Sequence, residues 1–256
     1  MTRIGIAGDW HGDAMSAIPM LKKLNQEDIQ DIYHLGDFGL YDDRDGIKYL
    51  RAVTRQLKLY GQRIWVTPGN HENYEMMSHI PVGPDGFQHL NDHIAIIPRG
   101  KRWDIEGTSF VSLGGAASVN FTSLKEGKSW WTEEAITTED VIRTGEGGYA
   151  DVMLTHEAPL GIKVIEDLKD STKDEFTPIE LAYSHHSQRL LTYALEAVRP
   201  KMLFHGHFHI GYHEEALFID EDGQGFSTSV YGMNMNRHSR NIGILETPGL
   251  SFKWIN

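Results

Sequence analysis

The sequence predicts an α/β protein, on three observations. Short apolar runs recur along the chain, and each stops abruptly at polar residues. Amphipathic helical segments separate the first of these runs. The runs are apolar at consecutive rather than alternate positions, which suits strands buried on both faces beneath covering helices.

Arg3–Gly8 reads as the first strand and ends in Asp9-Trp10-His11. A helix over about Asp13–Asn25 follows, with Ala17, Met20, Leu21 and Leu24 on one face. Asp31–Gly36 is the next strand and ends in Asp37. A second helix covers about Gly46–Tyr60, with Ile47, Leu50, Val53 and Leu57 on one face. Arg63–Gly69 ends in Asn70-His71-Glu72, and His93–Pro98 and Ser109–Gly114 read as strands. Asp151–Thr155 ends in His156. Leu160–Thr177 has no clear period and is expected to be a loop, and a lid, because it leaves directly from His156. Pro178–Val198 is a long helix, and Lys201–Gly206 ends in His207-Phe208-His209. Gly211–Phe218, Phe226–Met233, Asn241–Glu246 and Leu250–Ile255 complete the strands, with Asp222-Gly223 a hairpin turn. No repeat, low-complexity stretch or Pro/Gly/Ser-rich linker divides the chain, so its 256 residues are expected to form one domain, 1–256.

Composition removes several function classes. With 36 acidic against 24 basic residues the net charge is −12, which disfavours a long nucleic acid as partner. No cysteine is present, which excludes disulfides, thiolate zinc sites and a thiol nucleophile. No apolar run reaches membrane-spanning length, and the N-terminal apolar stretch ends at Asp9 without signal-peptide shape. The expectation is a cytoplasmic protein with no membrane partner; its oligomeric state is open.

In open α/β sheets ligands bind outside the carboxyl ends of the strands. Five strand ends therefore deliver Asp9, His11, Asp37, Asn70, His156, His207 and His209 to one rim. Nitrogen and oxygen donors without sulfur suit divalent first-row metals: Mn, Fe, Co, Ni or Zn. The histidines argue against an all-oxygen Mg or Ca cage, and the set is too large for one tetrahedral zinc. It suits two divalent metal ions sharing one carboxylate, which can clamp an in-line phosphoryl displacement.

The blocks Asp9-Trp10-His11, Gly36-Asp37, Gly69-Asn70-His71-Glu72, His156 and Gly206-His207-Phe208-His209 resemble, in order, those of the calcineurin-like metallophosphoesterase family. The resemblance implies that family's four-layer α/β/β/α sandwich. It implies a first metal on Asp9, His11, Asp37 and His209, and a second on Asp37, Asn70, His156 and His207. It implies attack by a metal-bridging hydroxide, with His71 contacting the phosphate or protonating the leaving group. Asp37, Asn70 and His71 are then the catalytic candidates, and Mn is the first choice of metal. Gly114-Gly115-Ala116, Ser129-Trp130-Trp131 with Glu133-Glu134, and His156-Glu157-Ala158-Pro159 look like a bacterial and phage branch of the family.

The expected reaction is hydrolysis of a small or medium phosphodiester or phosphomonoester, a nucleotide among the candidates. Phosphodiesterase leads, because Phe38-Gly39-Leu40-Tyr41 and Pro68 replace the arginine-bearing blocks of the Ser/Thr phosphoprotein phosphatases. A protein phosphatase and a non-catalytic scaffold on the same fold are the alternatives. His34 and His205 are expected to be core residues, and Trp130-Trp131 to pack. Glu72 is expected to be a helix N-terminal carboxylate or to orient a neighbour. Lys125, Lys128 and Arg99-Gly100-Lys101-Arg102 are expected to be solvated surface charges near the cleft, with contact to a second phosphate or a nucleotide as the alternative.

Overall fold

A computed structural model describes residues 2–220 and 222–255. Two mixed sheets lie between helices. The strands of the first sheet are β1 (Thr2–Ala7), β2 (Asp31–His34), β3 (Arg63–Val66), β4 (Gln88–Asn91), β5 (Ile94–Ile96), β12 (Ile242–Thr247) and β13 (Ser251–Trp254). Their order is β13-β12-β1-β2-β3-β5-β4. The second sheet takes β6 (Arg102–Ile105), β7 (Thr108–Leu113), β8 (Val152–Thr155), β9 (Met202–His205), β10 (Tyr212–Ile219) and β11 (Gly225–Gly232). Their order is β10-β11-β9-β8-β7-β6. β1, β2, β3 and β5 run parallel, as do β7, β8, β9 and β11. The carboxyl ends of β1, β2 and β3 therefore share one edge of their sheet, and those of β8 and β9 share one edge of the other.

Alternate residues of each central strand feed different layers. Tyr33, Leu154 and Phe204 join the core between the sheets, whereas Ile32, Met153 and Leu203 face outwards. The outer face of the first sheet packs on α1 (Ala14–Gln26) and α2 (Arg44–Tyr60) through Leu21, Leu24, Val53 and Leu57. The outer face of the second packs on α5 (Lys163–Thr172) and α6 (Pro178–Val198) through Ile165, Leu191 and Leu195. The result is the expected four-layer α/β/β/α arrangement. Both faces of the central strands are buried, which is why their apolar positions run consecutively.

α1 and α2 start where the sequence suggests, because Asp13 and Asp43 cap them by accepting backbone N–H groups. α6 has a Thr177/Glu180 capping box with Pro178 at its start. The expected loop at Leu160–Thr177 is corrected: it holds α5 and a 3₁₀ turn, Lys173–Glu175. α5 begins after Ile162 with no side-chain cap, and only Ile165 within it is fully buried, so start signal and apolar period are both weak. Two short helices, α3 (Tyr74–Ser78) and α4 (Thr138–Gly145), and the strands β4 and β6 were not expected. α4 has a Thr137/Asp140 capping box. β10 and β11 pair antiparallel, and the expected turn residues Asp222-Gly223 lie between them. Asp220 accepts N–H bonds from Asp222 and Gln224 there, and Gly223 takes the left-handed conformation.

Candidate metal centre

The seven expected donors converge. Ligand atoms of Asp9, His11, Asp37 and His209 lie within 4.8 Å of one another. His209 Nε2 stands 3.1 Å from Asp9 Oδ2 and 3.0 Å from His11 Nε2. The two oxygens of Asp37 face different neighbours: Oδ2 is 3.8 Å from His11 Nδ1, and Oδ1 is 3.3 Å from His156 Nε2. On the latter side His156 Nε2 lies 2.9 Å from Asn70 Oδ1, and the His156 and His207 rings are 5.1 Å apart. His156 Nδ1 lies 2.6 Å from the Leu35 carbonyl and donates to it, which turns Nε2 toward the cluster.

The backbone is bent to present these groups. His11, Asp37, His207 and His209 all take left-handed φ values, 48°, 51°, 68° and 55°. Such conformations cost on the order of 1–3 kcal/mol each and gather at functional sites. Interlocked loops hold them. His11 N–H donates to the Asp37 carbonyl (2.7 Å), His207 N–H to Asp9 Oδ2 (3.0 Å) and His71 N–H to Asp37 Oδ1 (2.9 Å). Glycines leave the necessary space: a Cβ on Gly206 would lie 2.1 Å from Asp9 Oδ1, and one on Gly69 would lie 2.3 Å from Asp37 Oδ1.

Glu72 is not a helix N-terminal carboxylate. It is buried and accepts N–H bonds from Asp37 (3.1 Å), Phe38 (2.7 Å), Gly39 (3.2 Å) and Gly69. It thus clamps the loop carrying Asp37 to the loop carrying Asn70. Burial and the Asp37 charge push its carboxyl up to about 7, against the opposing pull of His156 and the backbone donors.

The donor set fits cations. Asp9 Oδ1 is buried with no hydrogen-bond partner among the described residues. His11 Nε2 and His209 Nε2 sit 3.0 Å apart, close enough for both nitrogens to serve one cation when neither carries the proton. Burial opposes charge on His156, yet Asp37 first, then Asp9 and Glu72, push it up to about 10. Burial likewise opposes charge on Asp37, but His156, His71 and His11 hold it well below the ordinary carboxylate range. The cluster therefore attracts positive charge strongly.

His71 lies on the rim, half-buried, with its ring 5.6 Å from that of His11. His34 and His205 are buried as expected, and His205 Nε2 pairs with the Tyr212 hydroxyl. Trp131 is buried in the fold. Arg99 departs from the expected surface charge. Its side chain is 15% exposed, and the guanidinium bonds Asp140 (2.9 Å) and the carbonyls of Glu133, Glu134 and Ala135. Arg102 is spent on the carbonyls of Thr144, Gly148 and Tyr149. Two residues behind Asn70 escaped the sequence reading, Ser118 and the buried carboxylate of Glu134. The Trp-Trp-x-Glu-Glu pattern was the only signal for the latter.

Solved structures share the architecture. TT1561 of Thermus thermophilus superposes with a TM-score of 0.54 at 10% identity, over 99% of this chain and 98% of that one. A dimetal phosphatase from Danio rerio superposes with a TM-score of 0.51 at 13% identity, over 94% of this chain and 91% of that one. No curated protein matches the sequence. The model of the calcineurin-like phosphoesterases matches residues 2–211, a span that holds all seven converging donors and His71, and the chain belongs to that family.

Proposed function

We propose that the chain is a dinuclear-metal phosphoesterase hydrolysing a small or medium phosphate ester, a nucleotide among the candidates, with preference for a diester. The observation that carries this reading is Asp37, whose two carboxylate oxygens face two different donor sets. Asp9, His11, Asp37 and His209 would hold one cation, and Asp37, Asn70, His156 and His207 the other. The sulfur-free donors suit Mn first, then Fe, Co, Ni or Zn. Bound there, two cations supply positive charge for the phosphate oxygens and lower the pKa of water.

The protein's own groups do the rest. The Glu72 clamp keeps the Asp37 and Asn70 loops in register. His71, anchored through its backbone N–H on Asp37, presents its ring at the rim, where it can give a proton to the leaving oxygen. The arginines support the preference for a diester. Arg99 and Arg102 are committed to internal carbonyls, so neither neutralises a second phosphate charge. A singly charged diester needs less neutralisation than a dianionic monoester.

Residues 1–256 are read as one domain because β1, β9 and β12 all contribute to the core between the sheets. A cytoplasmic location belongs to the same reading. Among the described residues no helix is long and apolar enough to cross a membrane.

The roles are tested on substrates of graded leaving group. His71→Ala should cost about 10²–10⁴-fold with an alkyl leaving group and much less with a nitrophenolate. Equal losses on both would remove the proton-donor role.

A further inference from the structure

We infer that a buried relay from Glu134 through Ser118 fixes the orientation of the Asn70 amide, which makes Glu134 a positioning residue of the metal centre. The inference rests on Asn70 being a metal ligand. An amide can ligate only through its oxygen, and its two ends are nearly identical in shape. Something must therefore decide which end faces the cluster.

The surroundings of Asn70 decide it. Its Oδ1 faces His156 Nε2, and its Nδ2 donates to Ser118 Oγ at 3.0 Å. Ser118 has a single hydroxyl hydrogen, and it goes to Glu134 Oε2 at 2.8 Å. Toward Asn70 the hydroxyl can then only accept, so the NH₂ end of the amide must face it. Glu134 is fully buried, and its Oε1 accepts the Ser118 backbone N–H at 2.6 Å and the Tyr183 hydroxyl at 3.1 Å. The backbone around Glu134 is stapled in turn by Arg99, which donates to the carbonyls of residues 133, 134 and 135.

Glu134→Gln is the informative perturbation, because it keeps shape and removes acceptor capacity. If its NH₂ group takes the place of Oε2, it donates to Ser118 Oγ. The serine hydrogen then turns to Asn70 and draws the amide oxygen away from the cluster. If the NH₂ group takes the place of Oε1, it opposes the Ser118 N–H donor. The first arrangement reverses the relay, and the second leaves the Ser118 hydroxyl its acceptor but opposes the backbone N–H bond that holds Ser118 in place.

The test is calorimetric titration of the metal-stripped full chain with Mn(II). Two binding events are expected for the wild type, and Asn70→Ala should weaken one of them. Glu134→Gln and Ser118→Ala should weaken that same event by about 10–100-fold, the usual loss for a group that orients a ligand, and leave the other within about threefold. Thr122→Val is the control for general loosening. It removes a different anchor of the same segment, the bond from Thr122 to Glu180, and should leave both events within about threefold. If Asn70→Ala changes neither event, Asn70 is not a ligand and the relay loses its object. If Asn70→Ala weakens one event while Glu134→Gln and Ser118→Ala match the wild type, the relay alone is overturned. Thr122→Val as damaging as Glu134→Gln would also overturn it. Should Glu134→Gln fail to fold, Ser118→Ala, a change of one atom, decides the same question.

Discussion

Glu72→Gln exchanges one carboxylate oxygen for an NH₂ group at a site where four backbone N–H groups converge. Oε1 accepts from Phe38 and Gly39, and Oε2 from Asp37 and Gly69. Whichever way the amide turns, two N–H groups lose their acceptor and face another donor. All of these bonds are buried, and an orphaned buried donor costs about 1–3 kcal/mol. The expected loss is therefore about 4 kcal/mol, or about 8–16 °C in melting temperature for a chain of this size. The melt is best followed with chelator present, so that cation binding does not stabilise either protein. A buffer near pH 8 suits it, because burial and Asp37 push Glu72 up to about 7 and the wild-type carboxylate must be ionised. His71→Ala, next in sequence and half-buried, should melt close to the wild type. A Glu72→Gln protein melting within about 2 °C of the wild type would refute the clamp.

Other consequences can be checked by simple assays. Gly206→Ala places a Cβ 2.1 Å from Asp9 Oδ1, so the folded variant should lose at least one equivalent of bound metal by elemental analysis; unchanged stoichiometry would contradict the geometry. Arg99→Ala strips three carbonyls of a shared buried donor and should cost about 3 kcal/mol in urea unfolding. A solvated surface arginine would cost almost nothing. Acid should destabilise the fold through Asp140 and Asp151. Burial works against both charges. Arg99 and Thr137 nevertheless hold Asp140 below its ordinary value, and Ser109, Tyr149 and Lys201 hold Asp151 far below it. Because the folded-state values are depressed, this stability is complete above the unfolded carboxylate range of about 4 and is lost as pH falls through the folded values. The urea midpoint should therefore drop between about pH 5 and pH 3, and Asp151→Asn should flatten that drop.

Much of this site was legible because its chemistry is local. Each donor follows an apolar strand within a few residues, so a break from apolar to polar marks Asp9, Asp37, Asn70, His156 and His207. Packing between distant segments leaves no such mark. The bonds from Glu72 to Asp37 and from Glu134 to Ser118 span 35 and 16 residues, so the sequence marks both glutamates by their neighbouring motifs but not by their partners. Arg99 was misread for the same reason, since its partners lie 25–41 residues away. The helix α5 was missed on other grounds. It has no cap and a single fully buried side chain, so its register is set by the sheet it covers rather than by its own period. The left-handed backbone at four of the donors was also unreadable, because histidine and aspartate carry no signal as strong as glycine's.

The central claim is a two-metal hydrolase, and the most direct test is turnover. Metal-stripped protein would be supplied with Mn(II) and given matched aryl phosphomonoester and phosphodiester substrates, with Asp37→Asn and His207→Ala measured beside it. The account predicts Mn-dependent hydrolysis, faster on the diester and abolished in both variants. Hydrolysis that survives in Asp37→Asn, or a wild-type chain that binds no metal and turns over neither substrate, would contradict it.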